Sequence, residues 1–326
     1  MKHFDFVTFA AKSDVGRKRK NNEDAYGAFP EIGVWLVADG MGGGDDGEIA
    51  SAQVVKEFAA FAEAHRFPDG AGYPTDSLMP HVTATVNAAS RWVFDYAKGK
   101  RLSSCGSTVV GCVLDRVNPG RAVAFHAGDS RLYLLSGDGI RQVTRDHSAA
   151  EAIGIKDETK LNPVFRSMIL RAVGVTEEVD VELTPFDVRP QDRILICSDG
   201  LSRMVDDESM LRISRGQKEV EGATVALIDA ANAAGGVDNV TAVLIQIGEL
   251  PVGVPKAELA PPTVTARPKT PQPPVAEEKV ADVAVPSVAT TDDRFRRLVR
   301  SLVVLGVLVL LSACLLVALL CFRNAG

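Results

Sequence analysis

The sequence predicts an α+β fold, with antiparallel β-sheet packed by helices, followed by one C-terminal transmembrane helix. Three observations predict it. Short apolar runs rich in β-branched residues come in neighbouring pairs, as hairpin-connected strands do. Three longer stretches carry apolar residues at helical spacing and stand as separate blocks, which argues against strict βαβ alternation. Near the C-terminus, residues 301–322 include no charged side chain over 22 positions, and about 20 helical residues cross a bilayer core.

In chain order, the strand runs are residues 32–38, 107–114, 121–127, 131–135, 193–197 and 240–247. The first helical stripe, within 49–64, is Ile49, Ala52, Val55, Ala59 and Ala62. A second is Leu78, Val82, Val86, Ala89 and Val93. The third runs from Val220 to Ala234 and is closed by Gly235 and Gly236, a helix stop. No internal repeat is visible. These patterns end near residue 248, so 1–248 reads as one globular domain. Residues 249–291 read as an extended linker, because nine of the seventeen prolines fall between Pro251 and Pro286. A flexible coil of that length has its ends roughly 40 Å apart. Residues 292–300 form a basic juxtamembrane segment with Arg294, Arg296, Arg297 and Arg300. The span 301–322 follows, then a short tail, 323–326, with the single basic residue Arg323. That asymmetry places the N-terminal side in the cytoplasm by the positive-inside rule. Buried core helices are usually shorter than this run, and the linker sets it apart from the globular part.

Composition narrows the function. The chain has 326 residues, is 46% hydrophobic and 24% charged, and carries a net charge of −6. It can bury a sizeable core, which excludes a wholly disordered chain, a collagen-like chain and a small disulfide scaffold. A duplex-binding protein shows a basic excess, so nucleic acid is excluded as the main partner. The five cysteines form no CxxC, and Cys314 and Cys321 lie in the apolar C-terminal run. They read as reduced thiols of a cytosolic compartment. The N-terminus shows no basic region followed by an apolar run, and so no signal peptide.

Four aspartates mark strand ends. Asp39, Asp129 and Asp199 follow predicted strands, and Asp238 precedes one. Any one of them reads as a turn residue, since Asp-Gly is a hairpin signal. If the strands pack side by side, however, their ends gather several carboxylates. Such a cluster repels itself unless cations hold it, and all-oxygen ligands suit Mg²⁺ or Mn²⁺. The five histidines show no HxH or HxxxH spacing, so the sequence gives little support to a zinc site.

Eight short motifs then appear in order. They are Ser13-Asp14-Val15-Gly16-Arg17-Lys18-Arg19-Lys20-Asn21-Asn22-Glu23-Asp24-Ala25, Val37-Ala38-Asp39-Gly40-Met41-Gly42-Gly43, Gly106-Ser107-Thr108 and Ala127-Gly128-Asp129-Ser130-Arg131. Thr144-Arg145-Asp146-His147-Ser148, Leu170-Arg171-Ala172-Val173-Gly174, Cys197-Ser198-Asp199-Gly200-Leu201 and Asp238-Asn239-Val240-Thr241 complete the series. Together they resemble the type 2C metal-dependent protein serine/threonine phosphatases, bacterial branch, over about residues 5–248. The resemblance implies a central antiparallel β-sandwich flanked by helices (α-β-β-α) and two or three Mn²⁺ or Mg²⁺ ions. Asp39 would bridge two ions, with the carbonyl of Gly40 on one of them, and Asp199 and Asp238 would ligate the other. Asp129, with Asp199, would hold a third ion. Asp24 would hold a metal-bound water, and Arg19 would grip the substrate phosphate. Residues 149–167 fall where the family carries a flap beside its cleft.

The chemistry follows from those residue types. A phosphate monoester dianion repels hydroxide; two divalent cations offset that charge and acidify a bridging water, which attacks phosphorus in line. A guanidinium fork matches phosphate oxygens. Met41 stands where many eukaryotic members carry histidine, so a histidine general acid is absent there. Asp45 and Asp46 add negative charge beside the cleft. The implied substrates are phosphorylated proteins, and the implied counterpart is a bacterial Ser/Thr protein kinase. The whole reads as a single-pass protein of the cytoplasmic membrane, its catalytic domain in the cytoplasm. The alternative is a catalytically silent phosphatase-like domain that binds phosphoproteins at the membrane. Two decoys are weaker. Gly42-Gly43-Gly44-Asp45-Asp46-Gly47 matches a dinucleotide loop, but its aspartates would repel a pyrophosphate. Cys197 and Arg203 have the Cys-x5-Arg spacing of cysteine phosphatases, but Asp199 between them opposes both thiolate and phosphate, and Cys197 reads as a core residue.

Overall fold

Strands with two apolar faces need cover on both sides, and that requirement builds this molecule. The computed structural model describes residues 6–42, 46–66, 73–153 and 168–251. Contacts divide the chain into two units, Met1–Pro271 and Gln272–Gly326, and every described residue lies in the first. Among the described residues there are two antiparallel sheets. One has the order β1 (Val7–Asp14), β11 (Val240–Ile247), β10 (Arg193–Cys197), β7 (Arg131–Ser136) and β8 (Gly139–Gln142). The other has the order β2 (Asp24–Phe29), β3 (Val34–Gly42), β5 (Val109–Leu114), β6 (Arg121–Ala127) and β9 (Glu182–Asp187), with β4 (Cys105–Ser107) paired to β3.

Period-two alternation sorts the first sheet into two cores. Leu132 and Leu134 of β7, Ile194 and Ile196 of β10, and Val243 and Ile245 of β11 share a core with the second sheet. The residues between them, Tyr133, Leu135, Leu195, Cys197, Ala242 and Leu244, join a second core. A slip of one residue would exchange the two sets, so the register is fixed by burial. Each fully buried Leu or Ile contributes about 1.5–3 kcal/mol to holding it.

Helices close the outer faces. α1 (Asp46–Ala64) and α2 (Thr75–Lys100) cover the second sheet through Val54, Phe58, Leu78, Val82 and Val86, with Phe58 stacked on Phe125 of β6 at 5.4 Å. α3 (Ala149–Ala152) is a single turn whose cap, Ser148, accepts the Glu151 amide. α4 (Asp199–Ser202) leads into α5 (Asp207–Gly216) and α6 (Val220–Ala233), which cover the first sheet through Met210, Leu227 and Ile228. The layers are helix, sheet, sheet, helix, as the resemblance implied.

The differences from expectation have physical causes. The first predicted strand begins two residues late, at Val34, because Ile32 and Gly33 form the turn after β2. The run 107–114 is two strands, β4 and β5, that part at Thr108. Four strands had no sequence forecast: β1, β2, β8 and β9. They are the four edges of the two sheets. An edge strand packs less on its outer side, so its apolar run thins out; β9 also carries Pro185, which a central strand excludes. Residues 252–326, which include most of the predicted linker and all of the basic segment, span and tail, lie outside the described residues. Among the described residues no helix is long and apolar enough to cross a membrane.

Candidate metal and phosphate site

Register gathers the predicted acids at one pole of the sandwich. β2 pairs with β3 so that Asp24 stands opposite Asp39. β10 ends where β11 begins, with Cys197 opposite Ala242, which puts Asp199 and Asp238 just beyond the same end. β7 starts with Arg131 opposite Cys197, which brings the turn holding Asp129 alongside Asp199. The Asp39 amide donates to Thr108 Oγ1 at 3.1 Å, and that hydroxyl lies 2.7 Å from Ser130 Oγ. Gly40 donates its amide to the Glu23 carbonyl at 3.0 Å and pairs with Ser107 of β4.

Two glycines permit the close approach. A Cβ on Gly200 would stand 1.9 Å from the Asn239 carbonyl oxygen, so only glycine lets α4 meet the Asp238 turn. Gly16 has φ +81° and would place a Cβ 2.1 Å from the Asp238 carbonyl oxygen. The chain then runs to Arg19, whose guanidinium donates to Asp238 Oδ2 at 2.8 Å.

Three residues that sequence reasoning gave no site role knit the pole together. Asn239 Oδ1 accepts the Glu23 amide at 2.9 Å, and its Nδ2 donates to the carbonyls of Val15 and Asn21, each at 2.9 Å. Ser198 Oγ donates to Asp24 Oδ2 at 2.7 Å and accepts the Thr241 amide at 3.0 Å. Arg203 spans Asp129 Oδ2 at 2.9 Å and Asp199 Oδ2 at 3.0 Å. Ser198 and Asn239 each stand beside an aspartate, in Cys197–Leu201 and Asp238–Thr241, a signal that could have found them. Arg203 was visible only through the Cys-x5-Arg spacing.

The electrostatics are those of a crowded acid cluster. Burial is the largest cause throughout. It pushes Asp24 and Asp129 up to about 7, aided by the Asp199 charge in both cases. It holds Asp39 well above its ordinary value, with Asp24, Asp199, Asp129 and Asp238 all adding to the rise. Asp199 is raised too, although Arg203 opposes the rise. Asp24 Oδ1 is buried with no hydrogen-bond partner. An orphaned carboxylate oxygen among mutually repelling acids is a donor set that fits a hard, oxygen-seeking divalent cation.

The decoys dissolve. Cys197 is buried and its thiol is pushed up to about 12 by that burial, so it packs as a core residue while Arg203 turns to the acids. Residues 43–45 of the glycine loop, Asp45 among them, lie outside the described residues. Asp46 opens α1 and accepts from the Tyr96 hydroxyl at 3.0 Å.

Two of the histidines that show no spacing in the sequence meet in the fold. His126, His147 and Glu182 are distant in sequence, yet each places a candidate donor atom within 4.8 Å of the others. Pairing of β6 with β9 sets His126 opposite Glu182, and the two imidazoles stack at 4.4 Å. His126 Nε2 lies 2.7 Å from the Arg145 carbonyl, while His147 Nε2 lies 3.1 Å from Glu182 and 3.5 Å from the Arg171 guanidinium. That guanidinium opposes a cation at this place.

Comparison with known proteins gives the family. The family model for protein phosphatase 2C matches residues 16–227. The serine/threonine phosphatase stp of Listeria innocua is 31% identical over 244 residues, 72% of this chain and 94% of that protein. The serine/threonine protein phosphatase PstP of Mycobacterium tuberculosis is 34% identical over 261 residues, 78% of this chain and 48% of that one. The solved catalytic domain of PstP in complex with two manganese ions superposes with a TM-score of 0.63 at 32% identity, covering 74% of this chain and 99% of that one. The chain belongs to the protein phosphatase 2C family. It is a protein serine/threonine phosphatase acting on phosphorylated proteins.

Proposed function

We propose that this phosphatase works through divalent cations, Mn²⁺ or Mg²⁺, held at the aspartate pole. The observation that carries the reading is the convergence of Asp24, Asp39, Asp129 and Asp199, all raised chiefly by burial, beside Asp238, with Asp24 Oδ1 unpartnered. The two manganese ions of the PstP complex support it. Asp39, the Gly40 carbonyl, Asp199 and Asp238 are the proposed ligands. When bound, such cations offset the charge of a phosphate monoester and acidify a water. The remaining roles belong to the chain. Ser198 fixes Asp24 through one carboxylate oxygen, and the other would be left to accept from a water on the cations. Arg19, now on Asp238, carries a planar fork that can exchange that carboxylate for a substrate phosphate. Asn239 holds the Arg19 segment against the Asp238 turn.

The domain plan completes the proposal. Residues 1–248 form the catalytic domain, 249–291 the linker, 292–300 a basic segment at the membrane surface, 301–322 the membrane span and 323–326 the tail. The uncharged length of 301–322 and the arginines ahead of it support a single-pass protein of the cytoplasmic membrane, catalytic domain inside, opposing a Ser/Thr protein kinase. Such a tether raises local concentration at membrane substrates without touching the cleft. The test of the metal reading is steady-state hydrolysis of a phosphothreonine peptide with Mn²⁺ and with chelator. Activity should vanish on chelation and return with Mn²⁺; undiminished turnover in chelator would overturn it. For the tether, the full chain should fractionate with membranes and a chain ending at Gly248 should not. The same fractionation for both would remove the tether.

A further inference from the structure

We infer that Arg203 fills, as a permanent guanidinium cation, the place between Asp129 and Asp199 that the family resemblance gives to a third metal ion, so that this chain works with two. The inference rests on the reading of the aspartate pole as a metal site. Arg203 lies four residues after Asp199, just past the end of α4, and reaches two acids from separate elements. Its Nη1 meets Asp199 Oδ2 at 3.0 Å and its Nη2 meets Asp129 Oδ2 at 2.9 Å. One planar fork across two carboxylates is the arrangement for which arginine is suited, and a guanidinium keeps its charge at every physiological pH. Asp129 is only 5% exposed, so its charge cannot rely on water and needs a fixed counterion.

A divalent ion between Asp129 and Asp199 would compete for the oxygens that Arg203 holds. It would also stand within a few ångströms of a fixed positive charge, where like-charge repulsion is steep. The donor set therefore does not fit a third ion, although it fits the first two. The same residue formed the second half of the Cys-x5-Arg pattern. Its partner Cys197 is buried in the core, so the arginine was left for another use, and the acids supply it. Arg203 is a positioning residue here: it sets the count of ions and the orientation of Asp129.

The experiment is a count of bound manganese by equilibrium dialysis and elemental analysis at saturating Mn²⁺. Full-length wild type, Arg203→Lys, Arg203→Ala, Arg203→Gln and Asp238→Asn are compared, each first shown to unfold cooperatively. Wild type and Arg203→Lys, which retain a cation, should hold about two ions per chain, and the neutral variants Arg203→Ala and Arg203→Gln about three. Asp238→Asn should hold fewer than wild type. About three ions in wild type, or no gain in both neutral variants, overturns the inference while leaving the metal reading standing. No uptake by wild type, or an unchanged count in Asp238→Asn, overturns the metal reading and this inference with it.

Discussion

Asp39 lies near the end of β3 and Asp146 in the loop after β8, and their surroundings are opposite. Asp146 accepts from Arg131 Nε at 3.0 Å and Nη2 at 2.7 Å, and from Gln142 at 2.9 Å. Its lone pairs are taken up by a matched fork, and Arg131 is itself anchored by Tyr133. Asp39 faces Asp24, Asp129, Asp199 and Asp238, each of which disfavours its charge. A family motif runs through both places, and only one of them is a site. A carboxylate whose needs the protein meets holds loops together. A carboxylate whose needs the protein leaves unmet is held ready for something the chain does not contain.

The sharpest way to break this comparison is to neutralise each side. Asp39→Asn and Asp238→Asn should each lower phosphopeptide turnover on the order of 10³-fold, and the chelated Asp39→Asn protein should melt no lower than wild type, because its neutral side chain no longer ionises among Asp24, Asp129, Asp199 and Asp238. Near-normal turnover at saturating Mn²⁺ in either variant would contradict the assignment. Asp146→Asn should do the reverse. Breaking a buried ion pair costs about 3–5 kcal/mol; Arg131 keeps part of its side chain in water, so about 2–3 kcal/mol of unfolding free energy is expected here. Urea unfolding measures it, and a loss below about 0.5 kcal/mol would show the pair to be ornamental. The smaller effects concern the rim. Arg19→Ala should raise KM for a phosphopeptide about tenfold with a lesser fall in kcat, since a phosphate contact is made in ground and transition states alike. Lys18→Ala should change KM less than about twofold. Equal shifts at both positions would reduce Arg19 to diffuse positive charge.

The sequence made some of this legible and hid the rest for physical reasons. Central strands announced themselves: 193–197 and 240–247 were read to the residue because both faces are buried and the apolar run is unbroken. Edge strands β1, β2, β8 and β9 pack less on their outer side and left no such run. Asp39, Asp129, Asp199 and Asp238 could be picked out as strand-end acids, but Asp24 and Arg19 needed the family resemblance, since they lie among polar residues of no period. The His126–His147–Glu182 group was invisible because sheet pairing, not spacing, brings it together. Arg203 was noticed for a reason the fold does not use. The grip of Asn239 on Val15, Asn21 and Glu23 depends on tertiary approach alone.

The central claim is that the aspartate pole is self-repelling until cations arrive, and thermal unfolding against pH tests it most directly. Asp24 and Asp129 are raised to about 7 from an ordinary value of 3.8, and Asp39 and Asp199 are raised as well. The folded state therefore holds protons that the unfolded chain has already released. The sign follows: the metal-free protein should lose stability as pH rises from about 4 to about 7, because its acids must ionise against one another. The Tm of chelated wild type should fall across that window, saturating Mn²⁺ should abolish the fall near neutral pH, and Asp39→Asn should flatten it without metal. A chelated Tm that stays level or rises between about pH 5 and 7, or that Mn²⁺ leaves unmoved at pH 7, would contradict the account.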